Sequence, residues 1–196
     1  IEKNAAMRAL GVTLIEHGDD FQEAREHAMH LAQQRGAHMV PSFHPDLLRG
    51  VSTYWWEFLR AVPQLDVVYV PIGQGSGACS ASAAKLALQH PVRVVGVVSS
   101  HATTYADSLA AGSVVEAPVT TQLADGMACR VADAAALAII APHIDHIVQV
   151  SDNEVAAAMR ALFTDTHNVA EGAGAAAFAA RFPSTERSRS SRPFIL

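Results

Sequence analysis

An apolar run followed at once by a cluster of glycines stands near the centre of this sequence. The run is Asp66-Val67-Val68-Tyr69-Val70-Pro71-Ile72, and the cluster, called the glycine loop below, is Gly73-Gln74-Gly75-Ser76-Gly77. Nearly every position of the run is apolar, as in parallel strands that are covered on both faces. The alanine-rich segment over 78–89 that follows is typical of a helix. The order strand, tight turn and helix predicts an α/β protein.

Further strands and helices alternate on both sides of this unit. Apolar residues spaced three and four apart predict a helix over 21–35. A second helix is predicted over 48–61, where it stops before Pro63. Extended runs are predicted over 12–15, 38–41 and 92–98. Strands that alternate with helices are characteristic of a mainly parallel sheet flanked by helices, so we expect the α/β class.

Capping residues mark the ends of two of these helices. Asp19 or Asp20 can cap the helix over 21–35, and Gly36 can end it. Later in the chain, Ser151 and Glu154 have the Ser-x-x-Glu spacing of a capping box, which predicts a helix that starts there.

Composition excludes several classes of protein. The 196 residues carry 14 basic and 19 acidic groups, a net charge of -5, which argues against nucleic acid as the main partner. Apolar residues make up 50% and charged residues 17%, enough for a buried core. No apolar run has the length of a membrane span, so we expect no membrane partner. Cys79 and Cys129 are too few for a disulfide framework and fit a reducing cytoplasm.

The two ends of the chain are unusual. It opens at Ile1 without an initiator Met or a secretory signal pattern, which indicates an interior piece of a longer protein. From Pro183 onward the sequence is polar and aperiodic, and 183–193 carry three arginines against Glu186, a charge of +2. We therefore predict a basic disordered tail over 183–196 that does not join the sheet.

The glycine loop is the strongest signal of a binding site. Glycines allow backbone N–H groups to converge at a helix N-terminus, an arrangement that binds phosphate. A tight turn without a ligand remains one alternative. Gly73, Gly75 and Ala78 also satisfy the dinucleotide pattern G-x-G-x-x-G/A, but the next strand ends at Ser99-Ser100-His101 without the acidic residue that this pattern needs. Dinucleotide binding is therefore the second alternative.

Two other segments contain candidate site residues. Residues 120–127, called the Asp125 turn below, form a polar turn in which Asp125 is followed by Gly126. Residues 170–176 place Glu171 among small residues at the start of a predicted helix, where a carboxylate is stabilised by the helix N-terminus. Taken alone, the Asp125 turn is better explained as a common loop, and Glu171 is at least as well explained as an ordinary residue at a helix start.

Five segments occur in a fixed order along the chain: NAAMRALG (4–11), GVST (50–53), VPIGQGSG (70–77), ADG (124–126) and AEGAGAA (170–176). Together they resemble the pyridoxal-phosphate enzymes of fold type II, and among them the threonine/serine dehydratases and their serine racemase relatives. The resemblance covers about residues 1–182.

The resemblance implies a cofactor, a reaction and a role for each site residue. The backbone of Gly73, Gln74, Gly75 and Gly77, with the Ser76 hydroxyl, would hold the phosphate of pyridoxal phosphate. Asp125 and Gly126 would lie beside the cofactor ring and the substrate entrance, and Glu171 would line the ring. The reaction would convert L-threonine or L-serine to a 2-oxo acid and ammonia, with the cofactor as electron sink. A hydroxyectoine-utilisation dehydratase and a racemase stay open as branches.

Three family features have no counterpart in this chain. The Schiff-base lysine of the family lies in an N-terminal Ser-x-Lys segment, whereas Lys3 and Lys85 are the two lysines here and neither lies in such a segment, so we assign no catalytic residue. The closing strand with a Ser or Cys beside the pyridine nitrogen is missing. Val98 stands where some relatives have an acidic metal ligand, so we predict no metal.

The resemblance also predicts how the chain is organised. Residues 1–44 would be the remnant of a small cofactor-covering domain and 45–182 a large phosphate-binding domain, incomplete at both ends. We expect a cytoplasmic lyase fragment with a small amino acid substrate, homo-oligomeric and inactive as this chain alone. Alternatives are an NAD(P)-binding oxidoreductase domain and a truncated product without catalytic function.

Overall fold

The computed structural model describes residues 2–181 and 194–195. It divides into two compact units, Ile1–Val40 and Pro41–Leu196, called the N-terminal and the C-terminal unit. The division falls four residues before the predicted boundary after His44. This difference arises because Phe43 packs against the core of the C-terminal unit and His44 accepts a hydrogen bond from Asp46 N–H at the start of the next helix.

The N-terminal unit consists of helices α1 (Glu2–Ala9) and α2 (Phe21–Arg35) and their connections. The predicted caps of α2 are confirmed: Asp20 accepts a hydrogen bond from Glu23 N–H at 2.9 Å, and Gly36 ends the helix at φ 61°. The predicted strands over 12–15 and 38–41 are wrong. Neither run pairs with a strand among the described residues, and an extended segment becomes a strand only when its backbone groups find such a partner.

The C-terminal unit contains the sheet and six further helices among the residues described. Its elements are α3 (Pro45–Ala61), β1 (Val67–Pro71), α4 (Ser76–Leu88), β2 (Arg93–Ser99), α5 (Thr104–Ala111), the 3-10 turn Asp125–Met127, α6 (Ala134–Ile140), β3 (His146–Val150), α7 (Asp152–Thr166), α8 (Gly172–Arg181) and β4 (Phe194–Ile195). Helices α3, α4 and α7 and strands β1 and β2 confirm the sequence predictions. The sequence analysis did not anticipate α5, α6 or β3.

The described strands form one parallel sheet in the order β3-β2-β1-β4. Alternate residues of a strand face opposite sides, and two separate clusters of apolar side chains lie on the two sides of this sheet. Val68 and Val70 of β1 join residues of α3, α4 and α6 in one cluster, whereas Tyr69 packs with residues of α7 and α8 in the other. Helices therefore cover both faces, as the apolar character of β1 predicted.

The prediction of a disordered tail over 183–196 is wrong at Phe194 and Ile195. These two residues form β4 and pair in parallel with Val68 and Tyr69 of β1. Without β4, the backbone groups on that side of β1 would have no strand partner among the described residues. The remainder of the predicted tail, 183–193 and Leu196, lies outside the described residues.

No helix in the described ranges combines the length and the apolar character that crossing a membrane requires.

Candidate anion-binding site

The glycine loop lies at the carboxyl end of β1, the edge of a parallel sheet where ligands commonly bind. Strand β1 ends at Pro71 and α4 begins at Ser76, so only four residues connect them. Gly75 is the N-cap of α4 and has φ +92°, a left-handed conformation that glycine adopts without strain. Because Gly75 has no side chain, no side-chain oxygen caps the first N–H groups of α4. Those groups remain available to an external acceptor.

The underside of the glycine loop is tightly packed. A Cβ placed on Gly75 would lie 2.9 Å from Ala136 Cβ and 3.0 Å from the Tyr105 hydroxyl. That hydroxyl donates to the Gln74 carbonyl at 2.8 Å and accepts from Asp133 N–H at 3.2 Å. Tyr105 is fully buried, and burial raises the pKa of its phenol, so it remains a neutral donor.

The Gln74 side chain is held in place by Cys129. Its amide nitrogen donates to Cys129 Sγ at 2.9 Å, and Cys129 in turn donates to the Val131 carbonyl at 3.0 Å. The amide oxygen of Gln74 is buried and has no hydrogen-bond partner in the described part of the chain. The loop therefore keeps one buried side-chain acceptor without a partner among the described residues.

The Asp125 turn lies directly against the glycine loop. A Cβ on Gly73 would overlap the carbonyl oxygen of Gly126, so these two backbones touch, and only glycine fits at position 73. Asp125 and Gly126 themselves are exposed at this edge. The structure thus brings together two segments that lie about fifty residues apart in the sequence.

The start of α8 joins the same place. A Cβ on Gly126 would lie 2.9 Å from Ala173 Cβ and 3.5 Å from the Glu171 carboxylate, and a Cβ on Gly172 would overlap the Leu123 carbonyl oxygen. Glu171 is exposed and its carbonyl accepts the Ala175 N–H bond that opens α8. All three candidate segments therefore converge, with their backbones in direct contact.

Asp152 holds the Asp125 turn in position. Its two carboxylate oxygens accept from the Thr121 hydroxyl at 2.7 Å and from Gln122 N–H at 2.8 Å. Burial alone would raise the pKa of this carboxyl, but the two hydrogen bonds and the charge of His101 outweigh burial and lower the pKa. Asp152 is consequently a stable anion at neutral pH. It stands next to Ser151, whose capping box with Glu154 is confirmed.

Several other reactive side chains lie outside this arrangement. Cys79 is fully buried, burial and the nearby Asp133 raise its pKa to about 12, and its thiol contacts the Ala136 carbonyl, so it is a core residue. Lys85 lies in the last turn of α4, roughly 13 Å along the helix axis from Ser76 at 1.5 Å per residue. Val98 is buried within β2. Residues 2–181 contain no group of three His, Cys, Asp or Glu side chains arranged for a metal ion.

Sequence reasoning missed Tyr105, Cys129 and Asp152. Each acts on a residue of the site that is distant in sequence, and no periodic pattern marks Tyr105 or Cys129. Asp152 had a usable signal, because it follows the capping-box serine at the end of a strand, and parallel strands end at the same sheet edge.

The chain matches known proteins over most of its length. The family model described as pyridoxal-phosphate dependent enzyme matches residues 1–192. The chain is 33% identical to the biosynthetic L-threonine dehydratase of Salmonella typhimurium over 175 residues, which are 89% of this chain and 34% of that protein. It is 35% identical to the L-threonine ammonia-lyase of Geobacter sulfurreducens over 181 residues, 91% of this chain and 45% of that protein. The chain therefore spans between a third and a half of these relatives.

Two solved structures of threonine deaminases share the fold of this chain. The processed form of threonine deaminase isoform 2 from Solanum lycopersicum superposes with a TM-score of 0.83 at 27% identity, over 91% of this chain and 52% of that one. A second threonine deaminase, from T.th., superposes with a TM-score of 0.82 at 29% identity, over 92% of this chain and 60% of that one.

Proposed function

Since this chain belongs to the family of pyridoxal-phosphate dependent enzymes, we propose that its glycine loop holds the phosphate of that cofactor. We propose further that the chain is the C-terminal portion of an amino acid dehydratase. That enzyme would convert L-threonine or L-serine to a 2-oxo acid and ammonia, because the relatives above are threonine dehydratases and ammonia-lyases.

The observation that carries this proposal is the convergence of three segments around a glycine-lined helix start. A phosphate needs N–H donors and room for close approach, and side chains at Gly73 or Gly75 would instead meet neighbouring atoms. Ser76, the first residue of α4, is half-buried and adds a hydroxyl. The residues present therefore fit the phosphate arm.

Each residue of the site would have a distinct task. The N–H groups of Gly75, Ser76 and Gly77 would bind the phosphate, and the helix N-terminus would stabilise its charge. Asp125, Gly126 and Glu171 would border the ring and the place where substrate enters. When bound, the cofactor supplies an acceptor for the electrons released as the substrate loses its α-proton.

Neither lysine of this chain suits covalent attachment of the cofactor. Lys85 lies about two and a half turns beyond Ser76 on α4, and neither Lys3 nor Lys85 lies in a Ser-x-Lys segment. We therefore propose that this chain alone is inactive. By the resemblance, residues 1–44 would be part of the small domain that covers the cofactor, and 45–182 the large domain.

The proposal also covers the substrate, the oligomeric state and the cellular location of the enzyme. Its substrate would be a small β-hydroxy amino acid and its assembly a homo-oligomer, as the resemblance implies. A cytoplasmic location agrees with a chain that has two cysteines, Cys79 and Cys129, both of them buried.

Ser76→Asp tests the proposed phosphate site without disturbing the fold. A carboxylate at the first position of α4 would stabilise the helix by about 0.3–1 kcal/mol, but it would repel phosphate by roughly 1–4 kcal/mol at 4 Å. We expect unchanged or higher thermal stability, with affinity for inorganic phosphate and pyridoxal phosphate lowered about tenfold or more. Isothermal titration calorimetry measures both affinities.

Ala83→Asp is the matched control, because it adds the same charge at an exposed position of the same helix. It should bind phosphate as the unmodified chain does. Equal affinity in Ser76→Asp and the unmodified chain would place the phosphate elsewhere. Thermal stabilisation by nicotinamide dinucleotides but not by pyridoxal phosphate would instead identify a dinucleotide site.

A further inference from the structure

Tyr105 is the side chain that fixes the orientation of one peptide group in the glycine loop. It reaches the loop from α5, thirty-one residues away in sequence, and its hydroxyl donates to the Gln74 carbonyl at 2.8 Å. The same hydroxyl accepts from Asp133 N–H at 3.2 Å, so its position is set from two directions. The ring is 1% exposed, and no rotation into solvent competes with this geometry.

The planarity of the peptide bond transmits this contact to the opposite side of the loop. No cis peptide occurs in the described residues, so the Gln74 carbonyl and the Gly75 N–H point in opposite directions across one rigid plane. When the carbonyl points to the buried Tyr105 hydroxyl, the Gly75 N–H points away from the core. This N–H is one of the donors at the start of α4.

Glycine at position 75 makes such a contact necessary. With no side chain, Gly75 tolerates both signs of φ, so the preceding peptide can rotate to either orientation at little steric cost. The observed φ of +92° corresponds to one of these two orientations of the peptide group. The buried hydrogen bond from Tyr105 to the Gln74 carbonyl favours this orientation of the peptide group, because the opposite orientation would leave the Tyr105 hydroxyl without its acceptor.

We propose that Tyr105 is a positioning residue of the anion site, which aims the Gly75 N–H at a bound phosphate by holding the Gln74 carbonyl. This inference rests on the proposed function of the glycine loop. Tyr105 touches no ligand and acts only through the peptide group between Gln74 and Gly75.

Tyr105→Phe removes the hydroxyl and keeps the ring that fills the core. We expect its affinity for inorganic phosphate and for pyridoxal phosphate to fall about tenfold, the size of one typical hydrogen bond. Binding of pyridoxal, which lacks the phosphate, should not change. A role limited to stability would leave all three affinities unchanged at a temperature where the variant is folded. Tyr69→Phe, a half-buried tyrosine of β1, is the control and should bind all three as before.

A measurement on the unmodified chain keeps the inference testable if Tyr105→Phe does not fold. In amide NMR spectra, saturating phosphate should shift the Gly75 N–H signal and slow its exchange with solvent. Phosphate binding that leaves the Gly75 signal in place would overturn the inference. A Tyr105→Phe variant whose affinity for phosphate stays within twofold of that of the unmodified chain would also overturn it. So would a variant whose affinity for pyridoxal falls as much as its affinity for phosphate. Absence of phosphate binding by the unmodified chain would instead overturn the proposed function and this inference with it.

Discussion

Glycine residues, which have no side chain, determine how closely the backbone segments of the site approach one another. Gly73 lies against the Gly126 carbonyl, and Gly172 lies against the Leu123 carbonyl, at distances that leave no room for a Cβ. Backbone atoms cannot move aside as a flexible side chain can. These glycines are therefore required for packing, irrespective of any ligand.

Gly172→Ala and Gly174→Ala should have opposite effects on stability. Both residues lie in α8, but a Cβ on Gly172 would overlap a backbone carbonyl, whereas one on Gly174 would have Glu171 Cγ at 3.8 Å as its nearest neighbour. We expect Gly172→Ala to lower the free energy of unfolding by about 1–3 kcal/mol through overpacking. Gly174→Ala should raise it by about 0.5–1 kcal/mol through helix propensity.

Urea denaturation followed by circular dichroism measures both changes. The pair contains its own control, since the two substitutions are chemically identical and two residues apart. A stabilising Gly172→Ala would mean that the start of α8 is not packed against residue 123 as described.

The connections between secondary-structure elements at this sheet edge depend on one carboxylate. Asp152, the first residue of α7, accepts from Thr121 and Gln122 and so ties the Asp125 turn to the end of β3. Its neighbours Ser151 and Glu154 stabilise the same helix start through the capping box. The start of α7 thus has a second role, which is to support the turn that carries Asp125 and Gly126.

Asp152→Asn should reduce stability at neutral pH but not in acid. The folded-state pKa of Asp152 is lowered from 3.8, so its stabilising effect is fully present above pH 3.8 and is lost as pH falls through the folded value. We expect a loss of about 1.5–3 kcal/mol at pH 7, the range for a hydrogen bond to a charged group. Melting temperatures of the two proteins should therefore approach each other as the pH is lowered below 3.8 and through the folded-state pKa of Asp152.

Asp165→Asn on the same helix is the control, because Asp165 is exposed and receives a hydrogen bond only from its neighbour Thr164 among the described residues. The melting temperature of Asp165→Asn should match that of the unmodified protein from pH 7 to pH 3. A constant difference between Asp152→Asn and the unmodified protein from pH 7 to pH 3 would contradict the assigned role of the Asp152 charge.

The two units of the chain differ in how much they bury. None of the described residues in the N-terminal unit is buried, whereas the C-terminal unit contains two cores, one on each face of the sheet. Buried apolar surface is the main source of stability in folded proteins. We therefore expect the C-terminal unit to be the cooperative unit of folding.

Hydrogen exchange should separate the two units clearly. Amide groups of α2 should exchange with little protection, while those of β2 and α4 should exchange only on global unfolding. Mass spectrometry of peptides from one labelled sample provides the comparison, with α4 as the internal reference. Equal protection in α2 and β2 would show that the N-terminal unit is stabilised by contacts other than burial.

Local patterns predicted much of this fold and little of what supports the site. The strand, glycine loop and helix around Gly75 follow from neighbouring residues, and so do the caps of α2 and α7. The predicted strands over 12–15 and 38–41 failed because strand formation depends on a partner that sequence alone does not reveal. The contacts of Tyr105 with Gln74 and of Asp152 with Thr121 each join residues 31 positions apart, and only the folded topology brings them together.

The donors at the start of α4 are peptide groups, and this has a consequence for how the site responds to acidity. Main-chain N–H groups do not ionise between pH 5 and pH 9, unlike histidine or lysine. If the ligand is a phosphate monoester, as we propose, binding in that interval should change only as the phosphate loses its second proton, near pH 6. A site made of amides should therefore hold its ligand with constant strength in any neutral or alkaline compartment, and release it only where the surroundings protonate the ligand itself.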